Sequence, residues 1–180
     1  TKGELILGMP GETRESFLRG VEQLIESGIS SLGIYTLMLL NGTEFQNPEY
    51  RKKYEIVGKY RIVPLDFGEY DGVRVLDYEE VGIQTKDMSF DDYIYLRSFA
   101  LLVEALHNSR PFEEFFRSAL SLGISRFGML RRISDSLENA PQDVLEILQG
   151  FKDETQGELW DSGDELVAHY QNDENYERLR

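Results

Sequence analysis

Cysteine is missing from this chain of 180 residues altogether. That excludes disulfides, zinc–thiolate sites and thiol nucleophiles within it. Histidine is scarce, with His107 and His169 alone and no His-x-x-x-His pair. Both read as structural residues rather than as metal or catalytic ligands, so the expected metal set and the expected catalytic set are both empty. Basic residues are outnumbered, 19 against 33 acidic, for a net charge of −14. A chain that negative lacks the basic footprint of a nucleic-acid binder and has no electrostatic attraction to an anionic membrane. No apolar run approaches the ~18 residues of a membrane span, and no signal-peptide pattern opens the chain. A cytoplasmic location is the default expectation. Neither Gly-x-Ser-x-Gly nor Gly-x-Gly-x-x-Gly occurs, which argues against α/β-hydrolase or dinucleotide chemistry.

What is present supports a packed core. Hydrophobic residues make up 41% of the chain, with ten Tyr and ten Phe, enough for one domain or one and a half. The opening Thr1-Lys2-Gly3 lacks Met and runs at once into a strand pattern, so the expectation is an excised or processed piece of a longer protein.

The organising stretch is Glu4-Leu5-Ile6-Leu7-Gly8-Met9-Pro10-Gly11-Glu12-Thr13. Its apolar residues do not alternate with polar ones, which suits a strand over about 3–9 buried on both faces. Gly8, Pro10 and Gly11 break it. Thr13 can cap the following helix, whose Phe17, Leu18, Val21, Leu24 and Ile25 form one stripe of a 3.6-residue period. Gly28 ends it. A second apolar strand spans about 30–40 and closes on the turn Asn41-Gly42. Two buried strands joined through a helix should lie parallel.

A short helix is expected from Pro48 to about Tyr54, carrying the solvated basic run Arg51-Lys52-Lys53. An irregular β excursion follows. Tyr60 to Leu65 is strand-like but interrupted by Pro64, residues 66–72 are turn-rich with Asp71-Gly72 able to close a hairpin, and 73–85 alternate in part. Glu79 and Glu80 are adjacent, point apart in a strand, and make a poor acid–base pair. From Ser89, capped with Asp92, the chain reads as helical, with segments near 90–108, 112–122, 124–138 and 141–153. A last helix can dock through Trp160, Leu166, Val167 and Tyr170.

The opening stretch closely resembles the strand–turn segment of radical S-adenosylmethionine (radical SAM) proteins, most nearly the branch that often carries a cobalamin-binding domain. The likeness continues through Gly33-Ile34-Tyr35-Thr36-Leu37-Met38-Leu39-Leu40-Asn41-Gly42-Thr43-Glu44 and fades after about residue 110. Such proteins hold a 4Fe–4S cluster on a Cys-x3-Cys-x2-Cys loop, which this chain lacks. The resemblance therefore implies the C-terminal part of a partial (β/α) barrel with a β excursion over residues 1–88, followed by an α-helical extension over 89–180. A piece of that kind should leave open sheet edges and an uncovered apolar face.

By the same resemblance Glu4 takes the position of the carboxylate that hydrogen-bonds the S-adenosylmethionine ribose. Gly8, Pro10 and Gly11 take the cofactor-side turn, and Asn41 and Thr43 the substrate side. Each also has a plain reading, Glu4 as an exposed acid and the others as ordinary turn residues. By the resemblance the intact enzyme would use S-adenosylmethionine, the iron–sulfur cluster and, as in the cobalamin-associated branch, cobalamin on a small-molecule substrate, while none of these is expected on this chain alone. Its expected partner is the missing N-terminal half of the same protein, with self-association as the substitute. A different class stays open beside this one, a non-catalytic acidic module whose helices over 89–180 bind a partner protein.

Overall fold

A computed structural model describes residues 1–179. Strand β1 (Lys2–Leu7), helix α1 (Arg14–Glu26) and strand β2 (Ser31–Thr36) form the expected βαβ unit. The two strands pair in parallel, with Glu4 opposite Gly33 and Ile6 opposite Tyr35. Thr13 caps α1 through a reciprocal pair of hydrogen bonds with Ser16. The predicted stripe of α1 is the buried one, Phe17, Leu18, Val21 and Ile25.

The strands are not buried on both faces, as the unbroken apolar run predicts. Leu7 is 0% and Leu32 2% exposed on the side that α1 covers. On the other side Ile6 is 49% and Tyr35 56% exposed. The reason is that this sheet has two strands only, and its helices pack on one side of it.

The second apolar run also divides. β2 ends at Thr36, and residues 37–39 leave the parallel sheet for the excursion. The Leu37 amide still donates to the Leu7 carbonyl (2.9 Å), but the Leu37 carbonyl accepts from Gly82 (2.8 Å) and the Leu39 amide donates to Glu80 (2.8 Å). Leu37 and Leu39 are buried with Ile56 in a small second core, flanked by Phe45, Tyr50 and Tyr54 of the loop and of α2 (Pro48–Tyr54).

The excursion is one long antiparallel hairpin, β3 (Val57–Tyr70) and β4 (Val73–Gln84). Residues 66–70, expected as turn, are strand. Pro64 is accommodated because the register slips between Ile62 and Phe67, where a bulge needs no ladder donor. Asp71 and Gly72 close the tip with φ of +50° and +77°, the geometry of a type I′ turn.

Helix α3 (Phe90–Leu102) is the hub, with Tyr93, Leu96 and Phe99 fully buried, and it runs on as a π-helical turn over Val103–Asn108. Its N-cap is the expected Ser89–Asp92 box. Then come α4 (Glu113–Ser121), α5 (Arg126–Asp135), α6 (Gln142–Gly157), α7 (Gly163–Tyr170) and α8 (Asp173–Glu177). One apolar cluster joins Leu7, Val21, Val81, Phe99, Phe116 and Leu130, so strands and helices share a core. The C-terminal helices brace the hairpin. Tyr60 and Trp160 exchange backbone hydrogen bonds at 2.8 Å, Arg74 pairs with Asp173, and Phe67 meets Tyr176 edge to face. The whole is a mixed α/β fold with two small sheets and no closed barrel among the described residues.

Candidate functional site

The carboxyl ends of β1 and β2 face the crossing strand β4, and Gly8 and its turn lie at this junction while Glu4 does not. Gly8 is buried with φ +99°, and a Cβ there would stand 3.2 Å from the Gly82 carbonyl oxygen. No side chain fits both the conformation and the gap. Met9 to Glu12 then form a tight turn. The Glu12 amide donates to the Met9 carbonyl at 3.1 Å, with Pro10 at the second position and Gly11 at the third with φ +86°. That is a type II turn, which demands φ above zero where Gly11 stands. The turn delivers the chain to the Thr13 cap. Burial beside it pushes the Glu12 carboxyl above its ordinary range.

Glu4 lies on the open face. Its side chain is exposed and makes no ion pair or hydrogen bond among the described residues. Across the ladder the Tyr35 ring folds over Gly33, where a Cβ would come within 3.0 Å of Tyr35 Cε2. A free carboxylate thus sits beside an aromatic ring and Ile6 on an otherwise bare strand pair. It can accept two hydrogen bonds from a vicinal diol, because neither oxygen is engaged.

Asn41 and Thr43 form the turn after β2. Gly42 has φ +81°, and the Thr43 hydroxyl donates to the Leu40 carbonyl at 2.6 Å. Thr43 therefore spends its donor on the turn. Asn41 lines a cavity of about 290 Å³ with Leu39, Gln46, Tyr60, Tyr78 and Glu80. Glu4 and Asn41 belong to different surfaces, the first to the open strand face and the second to this cavity behind the hairpin.

The wall of that cavity is held by residues whose role the sequence hides. Arg51, expected on a solvated helix face, donates to both carboxylate oxygens of Glu80, at 2.7 and 2.6 Å, and Gln46 adds a third hydrogen bond at 3.2 Å. Burial works against the charge of Glu80, but these hydrogen bonds outweigh it and hold its carboxyl below the ordinary range. Glu79 turns the other way to Arg61 (2.8 Å), which also reaches Glu158 (3.1 Å). Arg61 is only 9% exposed. Burial disfavours its charge, yet the two carboxylates outweigh it and raise its affinity for the proton. Adjacent acids on opposite faces thus serve two separate arginines, a pairing that sequence spacing alone could not assign.

His107 sits in the π-helical turn, 2% exposed, and neither ring nitrogen is within hydrogen-bond geometry of a partner among the described residues. Burial first, then Arg126 and Arg110, push its pKa down. Glu104 stands three residues earlier, a spacing that can share a metal on a regular helix. Here Glu104 instead accepts a hydrogen bond from Asn108, while His107 points into the core. No group of three or more His, Asp or Glu residues able to hold a metal occurs among the described residues. No helix among them is long and apolar enough to cross a membrane.

No family model matches the chain. The cobalamin-dependent radical SAM methyltransferase TokK of Streptomyces tokunonensis is 32% identical to it over 152 residues, 81% of this chain and 21% of that protein. The chain is a distant relative of a radical SAM methyltransferase. It spans about a fifth of the length of that relative. A 4Fe–4S cluster requires thiolate ligands, and this chain has no cysteine. Its residues do not fit that cluster, so no step of cluster chemistry belongs to them.

Proposed function

We propose that the chain is the C-terminal part of the barrel of a radical SAM enzyme of the methyltransferase type, supplying the last strands and the substrate-side cap without being catalytic by itself. The observation that carries this reading is the asymmetry of the β1–β2 pair. One face is packed by helices, as on the outside of a (β/α) barrel, and the other is bare, as a lumen face would be once the remaining strands are removed. Similarity to a radical SAM methyltransferase over 81% of the chain points the same way.

In the intact protein Glu4 would bind the ribose diol of S-adenosylmethionine from the lumen side. The Gly8–Gly11 turn would let backbone approach the cofactor, whereas Asn41, which lines a separate cavity, would reach a substrate only where that substrate extends from the lumen to the hairpin, and Thr43 would shape the turn rather than bind. S-adenosylmethionine supplies the reactive group when bound, and these residues bind, orient and screen it from water. The cluster, and cobalamin if used, would be held by the missing N-terminal portion. In isolation the chain would cover its bare face by self-association.

The test compares the 180-residue chain with a longer gene product that includes the Cys-x3-Cys-x2-Cys loop. After iron–sulfur reconstitution the longer protein should form 5′-deoxyadenosine from S-adenosylmethionine, and the chain alone should show neither cluster absorbance nor turnover. Glu4→Gln in the longer protein should weaken S-adenosylmethionine binding about tenfold, the loss of a charge-assisted hydrogen bond. Turnover by the chain alone, or unchanged binding in Glu4→Gln, overturns the reading.

A further inference from the structure

A second cavity, lined by neither Glu4 nor Asn41, opens between α3, α5 and α6. It measures about 710 Å³, within the range of ligand-binding clefts. Ile94 and Leu148 are buried at its floor, and Tyr95, Leu137 and Leu145 form its half-buried walls. The polar groups of the interior are already engaged. The Ser98 hydroxyl donates to the Ile94 carbonyl (2.9 Å) and the Ser134 hydroxyl to the Tyr95 oxygen (3.2 Å).

The rim is acidic, with Asp91, Asp135, Glu138 and Glu146 against the single base Lys152. Only Asp135 has a cationic partner, Arg131 at 3.3 Å, and no ion pair engages Asp91, Glu138 or Glu146 among the described residues.

We infer that this groove docks a basic amphipathic helix of a partner polypeptide. Charge complementarity selects the occupant. Unpaired carboxylates around an apolar floor repel one another until cationic side chains are set among them. With its hydroxyls occupied internally, the groove offers few directional contacts to a small polar ligand. It offers apolar room for two or three side chains spaced one turn apart, the anchoring mode of a helix in a groove. A second copy of this chain is a poor occupant of this groove, because an acidic surface would be set against the carboxylates of the rim. This inference does not depend on the radical SAM reading.

The test is fluorescence anisotropy of the chain with two labelled peptides of about 16 residues, both built of Leu and Lys in equal number. One carries Leu in an i, i+3, i+4 stripe, and the other is scrambled to have none. The striped peptide should bind at least about tenfold tighter, and more weakly as salt rises. The exposed pair Glu138→Lys with Glu146→Lys should weaken it about tenfold, as should Leu145→Ser, whereas Ile147→Ser, on an exposed position of α6 outside the groove, should leave it unchanged. If Leu145→Ser fails to fold by circular dichroism, the charge-reversed pair decides. Equal affinity for the two peptides would mean diffuse attraction to an acidic protein and overturns the inference. So does unchanged binding in the charge-reversed variant, and so does a groove that takes benzylammonium ion while ignoring the striped peptide.

Discussion

The two faces of the β1–β2 pair differ in what covers them. Leu5, Leu7, Leu32 and Ile34 join the main core or pack against it, while Ile6 and Tyr35 stay in water on the face they share with Lys2, Glu4 and Ser31. Composition separates the faces only in part, since two large side chains on the more polar one remain exposed. Among the described residues helices pack on the first face and none on the second. A soluble domain rarely leaves such residues bare without a surface to place against them, and that makes the open face informative about what the chain belongs to.

The contrast can be broken first at its strong side. Phe99→Ala, at the fully buried hub of α3, should cost about 3–5 kcal/mol in urea unfolding, through lost burial and the cavity left behind. A loss below about 1 kcal/mol would mean that the helical layer is not the packed one. At the strand ends, Gly8→Ala forces an L residue to φ +99° against the Gly82 carbonyl and should cost about 1–3 kcal/mol. Gly11→Ala, strained at its φ but in open space, should cost less.

Arg51→Met leaves Glu80 half-buried without its bidentate partner and should cost about 1–3 kcal/mol near neutral pH. The Glu80 carboxyl is held below its ordinary range, so the pairing stabilises the fold above that range and fades as pH falls through the folded value. The variant should therefore converge on the wild type in acid, and a gap that stays constant down to pH 3 would refute the pairing. His107 shifts in the same direction for a different reason, burial penalising its charged form. Its folded pKa lies below the ordinary 6.5, so the unfolded chain binds the proton more readily, and stability should rise with pH up to about 6.5–7. His107→Leu should flatten that slope. The smallest effect belongs to the open face, where Ile6→Ser should change stability by less than about 0.5 kcal/mol while reducing self-association in sedimentation. A large loss of stability there would show that the face is covered in the isolated chain.

Much of the fold was legible in local chemistry. Thr13, Ser89, Pro48, Gly28 and Asp71-Gly72 act through hydrogen bonds or φ preferences within a few residues of themselves, and α1, α2, α3 and the hairpin tip follow from them. The turn roles of Gly8, Gly11 and Gly42 were readable for the same reason. The run from Leu37 to Leu40 was not. It reads as one strand, yet its partners Glu80 and Gly82 lie some forty residues away, and only their approach ends β2 at Thr36. The strand at 66–70 was hidden likewise, since a bulge around Pro64 becomes tolerable only when a partner strand fixes the register on both sides.

The order of caps, turns and apolar stripes was therefore settled by the sequence itself, because each depends on neighbours three or four residues off. Which face of β1 is wet, which arginine serves Glu79 and which Glu80, and where an acidic groove opens between α3, α5 and α6 were decided by the tertiary structure. Those features depend on residues tens of positions apart, whose meeting is set by the packing of whole elements rather than by any local preference.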